Sequence, residues 1–223
     1  MRLIFYRRIW FLCQEPVKTP IDAKERMRRE IAARRNKLTA AQRVIKSADI
    51  LEKLFGLDAM RAAKWVHFYV SHGGEVETTG MIAHALTNGK RVAVPIMDAA
   101  ANRLILSELK DPARELVPRS QPPGRGIPEP KPEALRPVDA ARMDLFVVPG
   151  LGFDPRGHRI GKGAGYYDRL LAEIPGRIPI VAPAFELQIV PEIPEDGHDI
   201  RVHWIVTEKR VIECGEPVTK GES

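Results

Sequence analysis

The strongest constraint on the fold is a strand, a helix and a second strand in close succession between Trp65 and Pro95. Trp65–Val70 is short, aromatic and β-branched and reads as a strand; Thr79–Asn88 reads as a helix stopped by Gly89; Arg91–Pro95 reads as the next strand. Two strands joined by a helix within ~30 residues form a crossover unit of a parallel sheet. Further strands are expected at Leu104–Leu109, Met143–Val148, Ile178–Ala182, Trp204–Val206 and Arg210–Ile212, with a helix over Tyr166–Ala172. Upstream, Pro20 to about Lys37 reads as a basic helix with Met27, Ile31 and Ala32 on one stripe. Thr39 and Gln42 form a capping box for a second helix, with Val44, Ala48, Leu51 and Phe55 inward and Gly56 at its C-terminal cap. Residues 111–137 hold eight of the nineteen prolines and read as an irregular, functional or linker segment. The chain of 223 residues fits one core. The fold expected is α/β, a single three-layer α/β/α domain with a mostly parallel central sheet over residues 21–213. A loosely ordered extension (1–20) precedes it and a tail (214–223) follows.

Composition narrows the partners without choosing one. Lys and Arg outnumber Asp and Glu by 35 to 29, which attracts nucleotides, polyglutamylated cofactors, nucleic acid or membrane surfaces. Two cysteines, Cys13 and Cys214, allow neither a disulfide scaffold nor a C-x-x-C knuckle. His198 and His203 lack the spacing and the third ligand of a zinc site. The apolar run of residues 1–13 is broken by Arg7 and Arg8, and no small-residue cleavage site follows. A loose extension or a misassigned start explains that stretch, with a short surface anchor as the alternative; the expected location is the cytoplasm.

The segment that points to chemistry is Pro149–Asp168, which leaves the carboxyl end of a strand and enters a helix. Ligands of open α/β sheets collect outside those carboxyl ends. Gly161, Gly163 and Gly165 alternate, so the backbone can approach a ligand and take positive φ, and its N–H groups suit phosphate oxygens. Arg159 and Lys162 add positive charge, and Asp168 stands where a carboxylate can hold Mg²⁺ bridging two phosphates. Glycine clusters also occur in plain turns, and this one is neither a Walker loop nor a Rossmann fingerprint. The longer string is more specific: Phe153-Asp154, Gly157, Arg159, Gly161, Gly163, Gly165-Tyr166-Tyr167-Asp168.

That string resembles the 5-formyltetrahydrofolate cyclo-ligase family. Other matches follow in family order: Lys24-Glu25-Arg26-Met27-Arg28, Glu75-Val76-Glu77-Thr78, Gly89-Lys90 with Pro95, and Gly126-Ile127-Pro128-Glu129-Pro130. Gln188, Pro194, His198-Asp199 and Thr207-Glu208 fit the closing portion, so the resemblance spans about residues 22–212. It implies a topology like the ribose-phosphate isomerase and CoA-transferase group. It also implies ATP- and Mg²⁺-dependent closure of 5-formyltetrahydrofolate, with or without a polyglutamate tail, to 5,10-methenyltetrahydrofolate. No nucleic-acid or membrane partner is implied, and the expected state is a monomer or weak homo-oligomer.

The residue roles come from the same resemblance. Lys24, Arg28, Lys162 and Tyr166 are the expected catalytic residues. Lys24, Arg28, Arg159, Gly161, Lys162, Gly163, Gly165, Tyr166 and Tyr167 are expected to hold ATP. Val70, Glu75 and Tyr166 are expected to contact the folate, and Asp168 and Asp199 the metal. Position 164, often Gly or Lys in the family, is Ala164 here, which removes any role needing charge there. Each residue also has a plainer reading. Arg26, Arg29, Arg34, Arg35 and Lys37 make a basic run around Lys24 and Arg28, usually a solvated face. A carboxylate such as Asp168 is favoured in any first helical turn; Glu75 can be a surface residue and Glu77 a helix cap. One tyrosine of the pair is expected to pack in the core and the other to stack on a ring system. Asp154 serves either the loop or the metal. Three rivals stand beside the enzyme: a basic nucleic-acid-binding module, which lacks interleaved aromatics at 6% Phe, Trp and Tyr; an inactive folate-binding relative; and a sugar-phosphate isomerase of similar architecture.

Overall fold

The structure, a computed structural model, describes residues 20–122, 124–195 and 199–215. The expected extension and most of the tail, with Cys13 and His198, lie outside the described residues. Helix α1 (Pro20–Arg35) is followed by α2 (Ala40–Gly56) and the short α3 (Asp58–Ala62). The crossover unit is β1 (Trp65–Phe68), α4 (Thr79–Thr87) and β2 (Arg91–Asp98). Then come β3 (Arg103–Leu109), α5 (Pro112–Glu115), β4 (Leu116–Pro118), β5 (Pro128–Pro130), β6 (Pro137–Val138) and β7 (Leu145–Val147). The chain closes with β8 (Gly152–Phe153), β9 (Arg159–Ile160), α6 (Tyr166–Ala172), β10 (Ile180–Pro183), β11 (Trp204–Val206) and β12 (Val211–Glu213).

Eight strands form one sheet in the order β12-β11-β10-β7-β1-β2-β3-β6. Its centre, from β11 through β10, β7 and β1 to β2, is parallel; β12, β3 and β6 run antiparallel at the two sides. Both faces are covered, as a parallel sheet requires. Ile50, Leu54, Met60, Met81 and Ile82 from α2, α3 and α4 pack on Val66, Phe68, Val92 and Val147. Leu170 and Leu171 of α6 pack on the opposite face with Phe146, Ile180 and Ala182. The expected three layers are thus present, with both central strands where the crossover placed them.

Four local expectations need correction. Val44, 53% exposed, and Ala48 face outward, because the buried stripe of α2 runs through Ser47, Ile50 and Leu54, one step round the helix. Gly56 ends α2 without positive φ, and Leu57 takes the cap in an extended conformation, whereas Gly89 does turn with φ +74°. Strand β2 runs on to Asp98 because it forms a hairpin with β3, paired from Val92–Leu109 to Asp98–Arg103. Residues 111–137 are not irregular throughout: β4 and β5 pair as an antiparallel ribbon, with prolines at its ends where a missing N–H costs little.

Candidate functional site

The strand order reverses at β1: the chain leaves β1 for β2 on one side and later returns to β7 on the other. A crevice opens at such a switch point, outside the carboxyl ends of the strands. A cavity of about 450 Å³ lies there, lined by Tyr69 and Val70 after β1, Pro149 to Leu151 after β7, and Pro95 and Met97 of β2. Every residue expected in the site borders it: Lys24 and Arg28 from α1, Glu75, Arg159, the glycine turn with Lys162, Tyr166, Tyr167, Asp168 and Asp199.

Folding separates Lys24 and Arg28 from the basic run around them. Their side chains are 12% and 24% exposed, while those of Arg26 and Arg34 are above half exposed. The 3.6-residue period explains this, since residues 24, 28 and 31 share one face and Ile31 anchors it among Leu151, Ile160 and Val190. Arg35 is on that face too and is buried, so it leaves the solvated run. Arg28 Nε donates to the Gly161 carbonyl at 3.0 Å, which ties α1 to the glycine turn across 133 residues of chain.

The turn itself is fixed at its base. Asp154 is fully buried and accepts from the N–H groups of Arg156, His158 and Ile193 and from His158 Nδ1. These bonds order the β8–β9 hairpin and favour the loop role of the two open for it in sequence. Gly163 and Gly165 take φ of +100° and +68°, and Gly165 leads directly into α6. Gly161 has ordinary φ, so its value is close approach rather than conformation.

Three ion pairs join the expected site residues at the cavity. Lys24 Nζ lies 2.8 Å from Asp199, Lys162 Nζ lies 2.8 Å from Glu75, and the Arg159 guanidinium binds Asp168. Arg159 Nε is buried without a hydrogen-bond partner. Glu75 also accepts from the His72 N–H, so it sits at the cavity and is not a free surface carboxylate. The tyrosines do not divide into a core and a free ring: both are half-buried and pack on the core, Tyr167 against His67 and Tyr166 with the Arg169 guanidinium over its ring at 5.1 Å. Burial, with Glu75 nearby, pushes the Tyr167 hydroxyl well above its ordinary pKa, and burial does the same for Tyr69. Neither is an acid at neutral pH.

The site also holds residues that the sequence reading did not assign to it. Arg119, Glu129, Gly124 and Ile127 form a wall from the β4–β5 ribbon, and Arg119 binds both oxygens of Glu129 and the Met97 carbonyl. The proline density obscured that ribbon; the matched Gly126–Pro130 segment was the available signal. Among the described residues no cluster of three His, Cys, Asp or Glu side chains can hold a metal unaided, and no helix is long and apolar enough to cross a membrane.

The profile of the 5-formyltetrahydrofolate cyclo-ligase family matches residues 20–208. The 5-formyltetrahydrofolate cyclo-ligase of Mus musculus is 31% identical over 196 residues, covering 84% of this chain and 94% of that protein. The Escherichia coli K12 enzyme of the same name is 30% identical, covering 82% and 99%. The solved 5,10-methenyltetrahydrofolate synthetase of Aquifex aeolicus superposes with TM-score 0.73 at 30% identity, covering 90% of this chain and 95% of that one.

Proposed function

The chain belongs to the 5-formyltetrahydrofolate cyclo-ligase family, and from that premise we propose how its cavity carries out the family reaction. The activity is the ATP-dependent cyclisation of 5-formyltetrahydrofolate to 5,10-methenyltetrahydrofolate. The observation that supports a local mechanism is the Arg28–Gly161 bond, which brings the cations of α1 and the glycine turn to one cavity.

The formyl group on N5 is amide-like, and its oxygen leaves poorly as hydroxide. In the proposed sequence that oxygen attacks the γ-phosphorus of ATP, and ADP departs. N10 then adds to the formyl carbon and loses its proton, and phosphate leaves with the C–O electron pair, giving the methenyl bridge. Such a transfer needs positioning and charge neutralisation more than a protein nucleophile. Lys24, Arg28, Arg159 and Lys162 supply the positive charge, and the backbone of Gly161, Gly163 and Gly165 lets the triphosphate come close. Lys162 and Tyr166 lie beside both ligands in this reading, with Tyr167 behind them; Val70 and Glu75 contact the folate.

The donor set fits Mg²⁺, a hard cation that takes one or two carboxylates together with substrate phosphates and water. Asp168, 39% exposed and bordering the cavity, and Asp199 would hold it. Bound there, the metal would neutralise charge that develops on the phosphates. Purified protein with 5-formyltetrahydrofolate, ATP and Mg²⁺ should form methenyl product and release ADP and phosphate in equal amounts. Omitting any one component should abolish this. Product formation without ATP would overturn the proposal.

A further inference from the structure

His67 is the polar member of a row of side chains that crosses the sheet, Ala93–His67–Phe146–Ile180, all on the face covered by α6. It is fully buried, with its ring 5.1 Å from Phe146 and 5.8 Å from Tyr167. A core row of this kind is served by an apolar residue, so a histidine there calls for a physical reason.

Its two ring nitrogens have different partners. Nδ1 lies 3.2 Å from the Ala93 carbonyl oxygen, and Nε2 lies 3.2 Å from the Tyr167 hydroxyl. A carbonyl oxygen can only accept, so Nδ1 carries the ring hydrogen. Nε2 of the neutral ring is then an acceptor, and the Tyr167 hydroxyl must donate to it. A phenol has one hydrogen. Once it is given to His67, the oxygen has only lone pairs left for anything else that reaches it. Tyr167 borders the cavity, and Glu75 and Arg159 both act on its hydroxyl through space.

We propose that His67 is a positioning residue: it fixes the Tyr167 hydroxyl so that the cavity is offered a hydrogen-bond acceptor and never a donor, which selects a ligand presenting an N–H at that point. A reduced pteridine carries several such groups on its ring and linker, so the inference rests on the folate reading of the site and adds a specificity element to it. Burial lowers the His67 pKa to about 3, so the ring stays neutral through the range in which an enzyme works. The acceptor is therefore available at every such pH.

Two measurements test this on the full chain. In ¹⁵N-detected spectra of the unliganded protein, His67 should be the neutral Nδ1–H tautomer from pH 5 to 9. An Nε2–H tautomer would overturn the proposal whether or not the protein turns over folate. Steady-state kinetics then compare His67→Leu, Tyr167→Phe and the double variant. Each single change should raise KM for 5-formyltetrahydrofolate about three- to tenfold, the worth of one hydrogen bond, and by more than it raises KM for ATP. The double variant should match Tyr167→Phe, because His67 acts through that hydroxyl. His67→Gln, whose amide oxygen can still accept, should recover most of the wild-type KM. If His67→Leu had the same effect in the wild-type background as in the Tyr167→Phe background, His67 would be reduced to a packing role. Absence of any turnover by wild type would instead remove the folate reading and leave the tautomer result standing.

Discussion

Removing the Asp154 carboxylate should unfasten the glycine turn at its base. In Asp154→Ala the N–H groups of His158 and Ile193 and the His158 imidazole lose a buried acceptor, with native distances of 3.1, 2.9 and 3.0 Å. The bonds from Arg156 are excluded from the sum, because that residue lies at the surface and water can replace them. Each buried donor left unpaired costs about 1–3 kcal/mol, and allowing for local relaxation the variant should lose about 4 kcal/mol. For a chain of this size that lowers Tm by roughly 10 °C. Urea titration with unchanged m-value, together with calorimetry, measures it. The Mg²⁺ concentration giving half-maximal activity should be unaltered, because the carboxylate faces the loop.

The pH dependence adds an independent check. Burial raises the Asp154 pKa, but the Ile193 N–H, His158 and Arg156 outweigh it and hold the carboxyl below its ordinary 3.8. The stability it contributes is therefore present above 3.8 and lost as pH falls through the lower folded value. Asp154→Ala should flatten the acid limb of the stability curve. A loss below about 1 kcal/mol would show that these donors find other partners; a shifted Mg²⁺ requirement with unchanged Tm would return Asp154 to the metal.

Lys24→Ala and Asp168→Asn should each slow ATP-dependent cyclisation about a hundredfold, as expected for one lost charge-stabilising group, with circular dichroism and Tm unchanged; a wild-type rate in either would remove that residue from the site. Gly157→Ala should destabilise by about 2–4 kcal/mol, because φ is +87° and the new Cβ would lie 2.3 Å from the Val202 carbonyl oxygen. Gly161→Ala, whose Cβ meets only Arg159 at 3.5 Å, should lose less than about 1 kcal/mol, and urea titration separates the two. The depressed His67 pKa makes stability full above the unfolded value of 6.5 and declining as pH falls from there toward about 3. The slope is at most about 1.4 kcal/mol per unit, and His67→Leu should lose that component when stability is compared at pH 7 and 5.

What sequence revealed depended on how local the determining interaction is. The crossover unit was legible because strand composition and the glycine stop act within a few residues, and Thr39 and Gln42 cap α2 as their spacing implied. The inward face of α2 was misjudged by one step because periodicity favours apolar Val44 over polar Ser47, whereas Ser47 is buried and accepts from the Glu77 N–H of a distant segment. The β4–β5 wall was illegible for a related reason: its pairing joins Leu116 to Pro130, and proline content signals only that regular structure is interrupted. That the expected residues border one cavity was legible because the family pattern carries their order. Their partners were not, since Lys24 with Asp199 and Arg28 with Gly161 are meetings of distant segments.

Those partners explain how one turn can be rigid and responsive together. At its base, Asp154 is fully buried and any loss of its bonds leaves dry, unpaired donors, so the hairpin has one arrangement. At its tip, the Lys162–Glu75 and Arg159–Asp168 pairs each include a side chain that water reaches, at 55% and 39% exposure. Solvent at that one partner screens such pairs more than it would a pair buried on both sides. Without a ligand, the carboxylates offset the repulsion among cations crowded at one cavity. In the proposed site, a triphosphate would let Lys162 and Arg159 exchange carboxylate oxygens for phosphate oxygens, and would leave Asp168 available to hold the metal. Burying the tip pairs as deeply as Asp154 would raise the cost of that exchange, so the gradient of exposure along residues 154–168 suits the proposed binding of a triphosphate.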